Sequence, residues 1–470
     1  MPETEATVQP ARLDPSDPES RLSIRERLSY GAGDIGGNLV FATVSAFVLF
    51  YFTDIAGIGA AIAGTLLLFG RVLDGTLDLI VGTLIDRTKT RWGKARPWIL
   101  FSIPVLLISF VLLFAVPPGL SETGKELYAF VMYVLCLGVG FVCSNLAYHT
   151  LLSVITANSK MRVSLTVIRS FAALVTSLAV NVATIPIITS LGGDQAAWTT
   201  LITIYAVIAA GTFLILFFGT KERIKTVESV GDETKLPLGQ KIKLLVRNRY
   251  FFLVFGLFLA VFVLQGTASV GVYFADDVLG DVNLYSFLGM VQILPMAFGL
   301  WFMPPLMARF GKRRTMLVGI AIAILGSLVP FLDPSNLGLL LTGGVIRGIG
   351  TLPVMAGMFA VVADVVDYGE WRNGVRLDGM TFAGATAGQN FGAGLGTALV
   401  GWLLAAASYN GLADVQPESA IQMQIFLMLG MPLIATIAMG VISYFLDVDK
   451  HLPAIQSELS ARRAAASSNA

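Results

Sequence analysis

Long apolar stretches separated by short polar turns fill the chain from about residue 30 to residue 445. A helix needs about 20 mainly apolar residues to cross the hydrocarbon of a bilayer. Twelve stretches meet that requirement: Tyr30–Phe52, Ala60–Leu84, Trp98–Ala115, Leu127–Ile155, Ser164–Ser190, Trp198–Gly219, Phe251–Phe274, Leu284–Ala308, Thr315–Phe331, Leu337–Ala363, Met380–Ala407 and Ile421–Phe445. The pattern predicts an all-α membrane protein with twelve transmembrane helices. The fourth, tenth and eleventh stretches carry the most glycine and polar residues, which assigns them to the lining of an internal cavity. The glycines of the eleventh, Gly384, Gly388, Gly392, Gly394 and Gly396, read first as sites of close helix approach. Bending is the other reading.

The polar turns fall into two classes. One set holds Arg87, Lys89, Arg91, Lys94 and Arg96, then Lys160 and Arg162, eight bases between Lys221 and Arg249, and Arg309, Lys312, Arg313 and Arg314. The opposite set holds Glu122, Glu126, Asp194, Asp276, Asp277, Asp281, Asp333, Asp414 and Glu418, with Lys125 as its one base. Basic loops stay on the cytoplasmic side. The expected topology is therefore a multi-pass protein of a bacterial inner (plasma) membrane, with both termini and the long central loop cytoplasmic. Composition agrees: 55% of the residues are hydrophobic and only 13% charged, against about 25% in a soluble domain. A net charge of +1 gives no case for a nucleic-acid partner. Cys136 and Cys143, the two cysteines, match neither a disulfide framework nor a metal site and read as small apolar side chains. The acidic, proline-containing segment before residue 26 reads as a disordered tail and not a secretory signal.

The chain divides in two. Residues 26–219 and 251–447 each hold six stretches, joined by a central loop over 220–250, with tails at 1–25 and 448–470. The halves echo each other: Gly82 to Arg87 leads into a basic turn after the second stretch, and Pro305 to Arg314 does so after the eighth. This arrangement resembles the major facilitator superfamily, whose two six-helix bundles rock around a midplane site.

The resemblance sharpens in several motifs. Tyr30-Gly-Ala-Gly-Asp34-Ile-Gly-Gly-Asn38 opens the first stretch and Phe50-Tyr-Phe-Thr-Asp54 closes it. Arg71-Val-Leu-Asp74-Gly-Thr-Leu-Asp78 lies in the second, followed by Asp86-Arg-Thr-Lys-Thr-Arg91-Trp-Gly-Lys94-Ala-Arg96-Pro-Trp98. Ala363-Asp364-Val-Val-Asp367-Tyr-Gly-Glu370-Trp371-Arg372, with Gly374 and Arg376, follows the tenth. Together these resemble the glycoside-pentoside-hexuronide:cation symporter family, the melibiose-permease-like branch of the superfamily, from about Ser23 to Phe445.

Asp74 and Asp78 are the sharpest chemical signal. Four residues apart, they share one helix face, and a carboxylate inside a span is a functional candidate by default. Two like charges that close can exchange a proton or a small cation. A structural ion pair with Arg71, one turn before Asp74, is the plainer alternative. The resemblance implies a cation-coupling role for the pair.

The same resemblance marks Asn38, Asp74, Asp78, Asn145, His149, Arg169, Met355 and Asn390 as substrate-site positions, and several depart from the branch's pattern. Asn38 and Asn145 replace aspartates, Asn390 replaces a lysine, and Leu77 replaces a polar cation ligand. Carboxamides still bond hydroxyls but cannot neutralise a cation. Sodium needs several oxygens and a proton only one carboxylate, so the expected coupling ion is H+, with Na+ the alternative and no cofactor. His149 and Met355 replace two aromatic residues, which weakens the case for a galactoside. His149 could bond substrate, relay a proton or simply bond a neighbouring helix. Arg169 offers a fork of donors suited to vicinal hydroxyls or a uronide carboxylate, unless a pocket aspartate pairs with it. Arg162 reads as structural. Asp34 and Arg347 are left unassigned.

Asp86, Arg91, Lys94, Asp364, Asp367, Glu370 and Arg376 lie on one side of the membrane and suggest a charged latch between the halves, closed in the outward-open state. Solvated loops obeying the topology rule are the alternative. The expected activity is secondary symport of a sugar or glycoside, a uronide included, by a monomer in the lipid bilayer. A lysolipid or other amphiphile is the alternative cargo, and a non-transporting sensor is the remote one. No phosphate-binding glycine loop and no nucleophile–base pair stands in the chain, so neither an ATP-driven pump nor an enzyme is expected.

Overall fold

The computed structural model describes residues 22–156, 158–223, 238–299, 302–413, 415–452, 454–455 and 457–459. Eleven helices there are long and apolar enough to cross a membrane. They include α1 (Ile24–Ile55), α2 (Ala60–Arg87), α3 (Arg96–Leu113), α4 (Glu122–Ile155), α5 (Ser159–Ser190), α6 (Gln195–Gly219), α7 (Arg249–Val278), α9 (Lys312–Leu332), α10 (Leu337–Asn373) and α12 (418–445). The eighth stretch forms α8 (Tyr285–Gly299), with a short continuation at Met303–Phe310. The twelfth spanning element is α11 (Asp378–Ala406), 29 residues long but diluted by glycine. Large apolar side chains such as Phe101, Val207, Leu325 and Val441 stay exposed, as a lipid-facing surface requires.

Local chemistry sets the helix starts. Ser23 and Glu26 form a capping box at α1: the Glu26 amide donates to Ser23 Oγ at 3.2 Å, and the Ser23 amide to Glu26 Oε2 at 3.3 Å. At the opposite end of α1 the last turn widens to a π-turn over Tyr51–Ile55, and α7 widens in the same way over Phe274–Val278. Each then stops at a glycine with positive φ, Gly57 at 72° and Gly280 at 75°.

The expected duplication recurs in side-chain geometry. After α6, the Glu222 carboxylate accepts from the backbone amides of Lys94, Ala95 and Arg96 at 2.9, 2.8 and 3.0 Å, which caps α3. After α12, Asp449 accepts from the Arg313 amide at 3.1 Å at the start of α9. Arg96 lies over the Phe217 ring and bonds its carbonyl, five residues before Glu222. Arg313 does the same with Tyr444, five residues before Asp449.

Within the first half α1 packs on α5 and α6, and α3 on α4 and α6. Within the second, α7 packs on α11 and α12, and α9 on α10 and α12. The halves meet along two seams, α2 on α11 and α5 on α8. Gly64 makes the first seam tight, since a Cβ there would lie 3.0 Å from the Ala398 carbonyl oxygen. Gly64, Leu68, Arg71, Gly75 and Gly82 share one face of α2. Leu68 and Arg71 touch Gly394, but nothing lies within 4 Å of a Cβ built on Gly75 or Gly82. The seam thus closes at the acidic-loop end and parts below Arg71 towards the basic-loop end.

Three expectations need correction. The Asp364–Trp371 motif does not follow the tenth span: α10 runs on through it to Asn373, because no proline stands between Ala363 and Gly374, whose φ is 69°. Residues after 447 are not all a free tail: Ile455 and Leu459 are buried in the second half, and Trp371 Nε1 donates to Glu458 Oε2 at 2.7 Å. The central segment contains a short helix, Leu238–Val246. The N-terminal tail to residue 21 and loop residues 224–237 lie outside the described residues.

Candidate functional site

Asp74 is buried on α2 and turns towards α4. Its Oδ2 lies 3.9 Å from Arg71 Nη1, a loose ion pair. Its Oδ1 is buried without a hydrogen bond among the described residues. The widened π-turn of α4 over Val134–Phe141 puts Gly138 beside that oxygen, and a Cβ there would lie 3.3 Å from it. Arg71 is anchored by Ser45 Oγ at 3.1 Å and lies over the Phe41 ring at 5.0 Å. Asp78, one turn on, is half-buried with no ion pair among the described residues, and faces the part of α2 that the seam leaves open. The pair therefore combines one enclosed carboxylate and one reachable from the cleft.

The second cluster joins α1, α4 and α5. Arg169 Nε lies 3.3 Å from Asp34 Oδ2. Its two terminal nitrogens meet His149 at 2.9 Å (Nη1 to Nδ1) and 3.3 Å (Nη2 to Nε2), and its plane lies 5.3 Å from the Tyr148 ring. A guanidinium has only donors, so the imidazole nitrogen nearest it must offer a lone pair, which a neutral ring has. Tyr148 is fixed from behind by Tyr30, stacked at 4.6 Å, and donates to the Tyr30 carbonyl at 3.0 Å. His149 itself is exposed. Asp34, left unassigned from sequence, is thus the partner of Arg169.

The other expected positions vary. Asn38 Nδ2 donates to the Asp34 carbonyl at 2.9 Å, and its Oδ1 lies 3.4 Å from Ser177 Oγ on α5. Asn145 and Asn390 are half-buried and make no hydrogen bond among the described residues, so their amides are unspent. Asn390 stands one turn from Gly394, which touches Arg71, and so lies at the level of Asp74. Met355 instead packs against the apolar core of the second half. Arg162 bonds the Thr156 and Ser153 carbonyls at 2.9 and 3.0 Å and ties down the end of α4. Arg347 has no hydrogen bond or ion pair among the described residues.

Among the described residues, the ion pairs of the charged motifs at the basic end stay within one half in this conformation. Lys94 pairs with Asp86 at 3.1 Å, Lys312 with Asp364 at 2.5 Å, and Arg376 with Asp367, Glu370 and Asp378 at 2.7–2.8 Å. Arg91 lies over the ring of its neighbour Trp92. Each of these contacts stays inside one half, because the bundles have parted at this end.

The closed end holds groups that sequence reasoning missed. Thr53 Oγ lies 2.8 Å from the Tyr273 hydroxyl, and Tyr409 donates to Asp54 Oδ1 at 2.7 Å. Tyr285 donates to Asn181 Oδ1 at 2.7 Å and Ser286 to the Val182 carbonyl at 2.8 Å. All four bonds join one half to the other. A signal was present: Tyr51-Phe-Thr-Asp54 recurs as Tyr273-Phe-Ala-Asp276, at the same place in each half.

Comparison with known proteins agrees with this architecture. Residues 29–450 match the family model described as MFS/sugar transport protein. The isoprimeverose transporter of Lactiplantibacillus pentosus is 34% identical over 451 residues, 93% of this chain and 92% of the relative. The glucuronide carrier protein homolog of Escherichia coli is 29% identical, over 85% of this chain and 87% of its own. A solved point mutant of the nucleoside transporter NupG superposes with a TM-score of 0.67 at 14% identity, covering 89% of this chain and 99% of that one, a likeness of fold. The chain is a transporter and not an enzyme, and it belongs to the MFS/sugar transport family, among its glycoside-pentoside-hexuronide:cation symporters.

Proposed function

We propose that this protein is a proton-coupled symporter for a sugar or glycoside, working as a monomer by alternating access. The observation that carries the reading is the Asp74–Asp78 pair: a buried carboxylate oxygen without a donor beside a second carboxylate open to the cleft. A proton on that oxygen removes a buried negative charge that no donor meets, which needs no bulkier ion. Leu77 adds no oxygen ligand, which favours H+ over Na+. The sugar site lies opposite, with the unspent amides of Asn145 and Asn390 and the His149–Arg169 edge supplying donors and acceptors. The relatives named for isoprimeverose and glucuronide transport support a glycosidic cargo.

With the basic loops on the cytoplasmic side, both termini are cytoplasmic and this conformation is open inward. The two bundles, 26–219 and 251–447, then rock about the α2–α11 and α5–α8 seams. The Asp86–Arg96 and Asp364–Arg376 motifs exchange their present partners within each half for partners across the closing gap.

Uptake into proteoliposomes under an imposed pH gradient, at constant sodium, tests this reading. Accumulation of a glycoside that follows the pH gradient and is accompanied by proton entry is the expected result. Accumulation that needs a sodium gradient and moves no protons would assign the other ion. Binding of a lysophospholipid, with no sugar bound, would overturn the sugar reading.

A further inference from the structure

The donor fork of Arg169 is not free for an anionic ligand. Its Nε edge is held by Asp34, 3.3 Å away, its Nη1 donates to the nearest His149 nitrogen at 2.9 Å with Nη2 beside the same ring, and one face is covered by Tyr148. We infer that Asp34 makes this transporter select neutral sugars over the corresponding uronides, by keeping Arg169 neutralised and its fork turned onto His149. The inference rests on the sugar-transport reading above and narrows its substrate class.

A carboxylate binds a guanidinium best through two parallel N–H donors. To reach that geometry here a uronide must displace His149 and bring its charge close to Asp34. A hydroxyl needs neither. It can accept one N–H shared with His149 and donate to an Asp34 oxygen, because a hydroxyl is donor and acceptor at once.

The charge balance points the same way. Arg71 is matched by Asp74 and Arg169 by Asp34, which leaves Asp78 without a base among the described residues. These five side chains therefore sum to one negative charge. A neutral sugar entering with one cation brings the site to zero. A uronide entering with the same cation leaves an unmatched charge away from bulk water, which is unfavourable.

The test is equilibrium binding to the purified full-length protein by titration calorimetry, using matched ligands that differ only in the oxidation of C6: methyl glucoside against methyl glucuronide, and methyl galactoside against methyl galacturonide. Wild type should prefer the neutral member of a bound pair by at least about tenfold. Asp34→Asn should move that ratio at least about tenfold towards the uronide, while Asp34→Glu should leave it in place. A wild-type protein that binds the uronide as tightly as its neutral partner overturns the inference and leaves sugar transport standing. An unchanged ratio in Asp34→Asn also overturns it. If neither member of any pair binds and a lysophospholipid does, the sugar reading falls and takes this inference with it. Should Asp34→Asn fail to fold, the wild-type ratio alone decides.

Discussion

The Tyr409 hydroxyl reaches across the seam between the halves and donates to the Asp54 carboxylate at 2.7 Å. Asp54 also accepts from its neighbour Thr53, at 2.5 Å. The Tyr409 ring meets Tyr273 edge-on at 5.3 Å, so these residues of α1, α7 and the segment after α11 form one polar joint. A buried hydrogen bond contributes about 0.5–1.5 kcal/mol net. Tyr409→Phe removes this one without disturbing the aromatic packing. The joint exists only when this end is closed, so its loss should raise the population of the opposite conformation by up to about tenfold. Hydrogen exchange of the amides around residues 50–57 and 404–412 should quicken correspondingly. Unchanged exchange would show that apolar packing alone holds the joint.

Asp74 and Asp78 should separate under mutation. Asp78→Asn removes the carboxylate open to the cleft. It should abolish accumulation against a gradient, bringing the internal-to-external ratio to about 1, while sugar exchange down its gradient continues. Asp74→Asn removes the charge that faces Arg71, and leaves Arg71 with Ser45 as its polar partner among the described residues. It should also uncouple, and in addition loosen the α2–α11 seam that Arg71 helps to form. Downhill counterflow measured beside uphill uptake distinguishes the two. Full accumulation in Asp78→Asn would exclude it from coupling.

The α2–α11 seam gives a steric prediction. Gly64→Leu places a branched side chain against the Ala398 backbone, which the seam cannot receive without parting. Overpacking of this kind costs about 1–3 kcal/mol. Folding in detergent should survive, because each half keeps its own core, but the closed joint at the acidic end should not form. Transport should fall at least tenfold, with the melting temperature changed by only a few degrees. A variant that transports normally would show that this seam opens without cost.

How much of this was legible in the sequence depends on the kind of contact. The spans follow from apolar length, and even the glycine-diluted α11 is visible because no charge interrupts Met380–Ala407. Asp74 and Asp78 stand out because a charge within a span is rare. That Arg169 meets a pocket aspartate was one of its two readings, but that the aspartate is Asp34 could not be read, since this depends on how α1 and α5 are rotated and levelled against each other, which local pattern does not encode. The basic-end motifs suggested a bridge between halves. Their charges pair inside each half here, because the nearest opposite charge lies on the same bundle once the two have parted. The Tyr-Phe-x-Asp repeat of α1 and α7 was readable and marks the joint.

Glu222 lay unnoticed among the bases of the central loop, yet it accepts from three backbone amides. Its three amide partners are the first turn of α3 and the residues before it, and the adjacent Gly93, at φ 106°, leaves the carboxylate room. An acidic cap at a helix start is worth about 0.5–2 kcal/mol, and three amides place this one at the upper end. Glu222→Ala should therefore cost about 2 kcal/mol. The counterpart, Asp449→Ala, breaks one amide bond and should cost about 1 kcal/mol. Thermal unfolding in detergent, followed for both variants and the double variant, checks the order and the sum. The two sites serve different halves and share no partner, so their effects should add to within about 0.5 kcal/mol. A smaller effect for Glu222 than for Asp449 would mean that the Arg96–Phe217 contact, and not the carboxylate, holds the α2–α3 turn against α6.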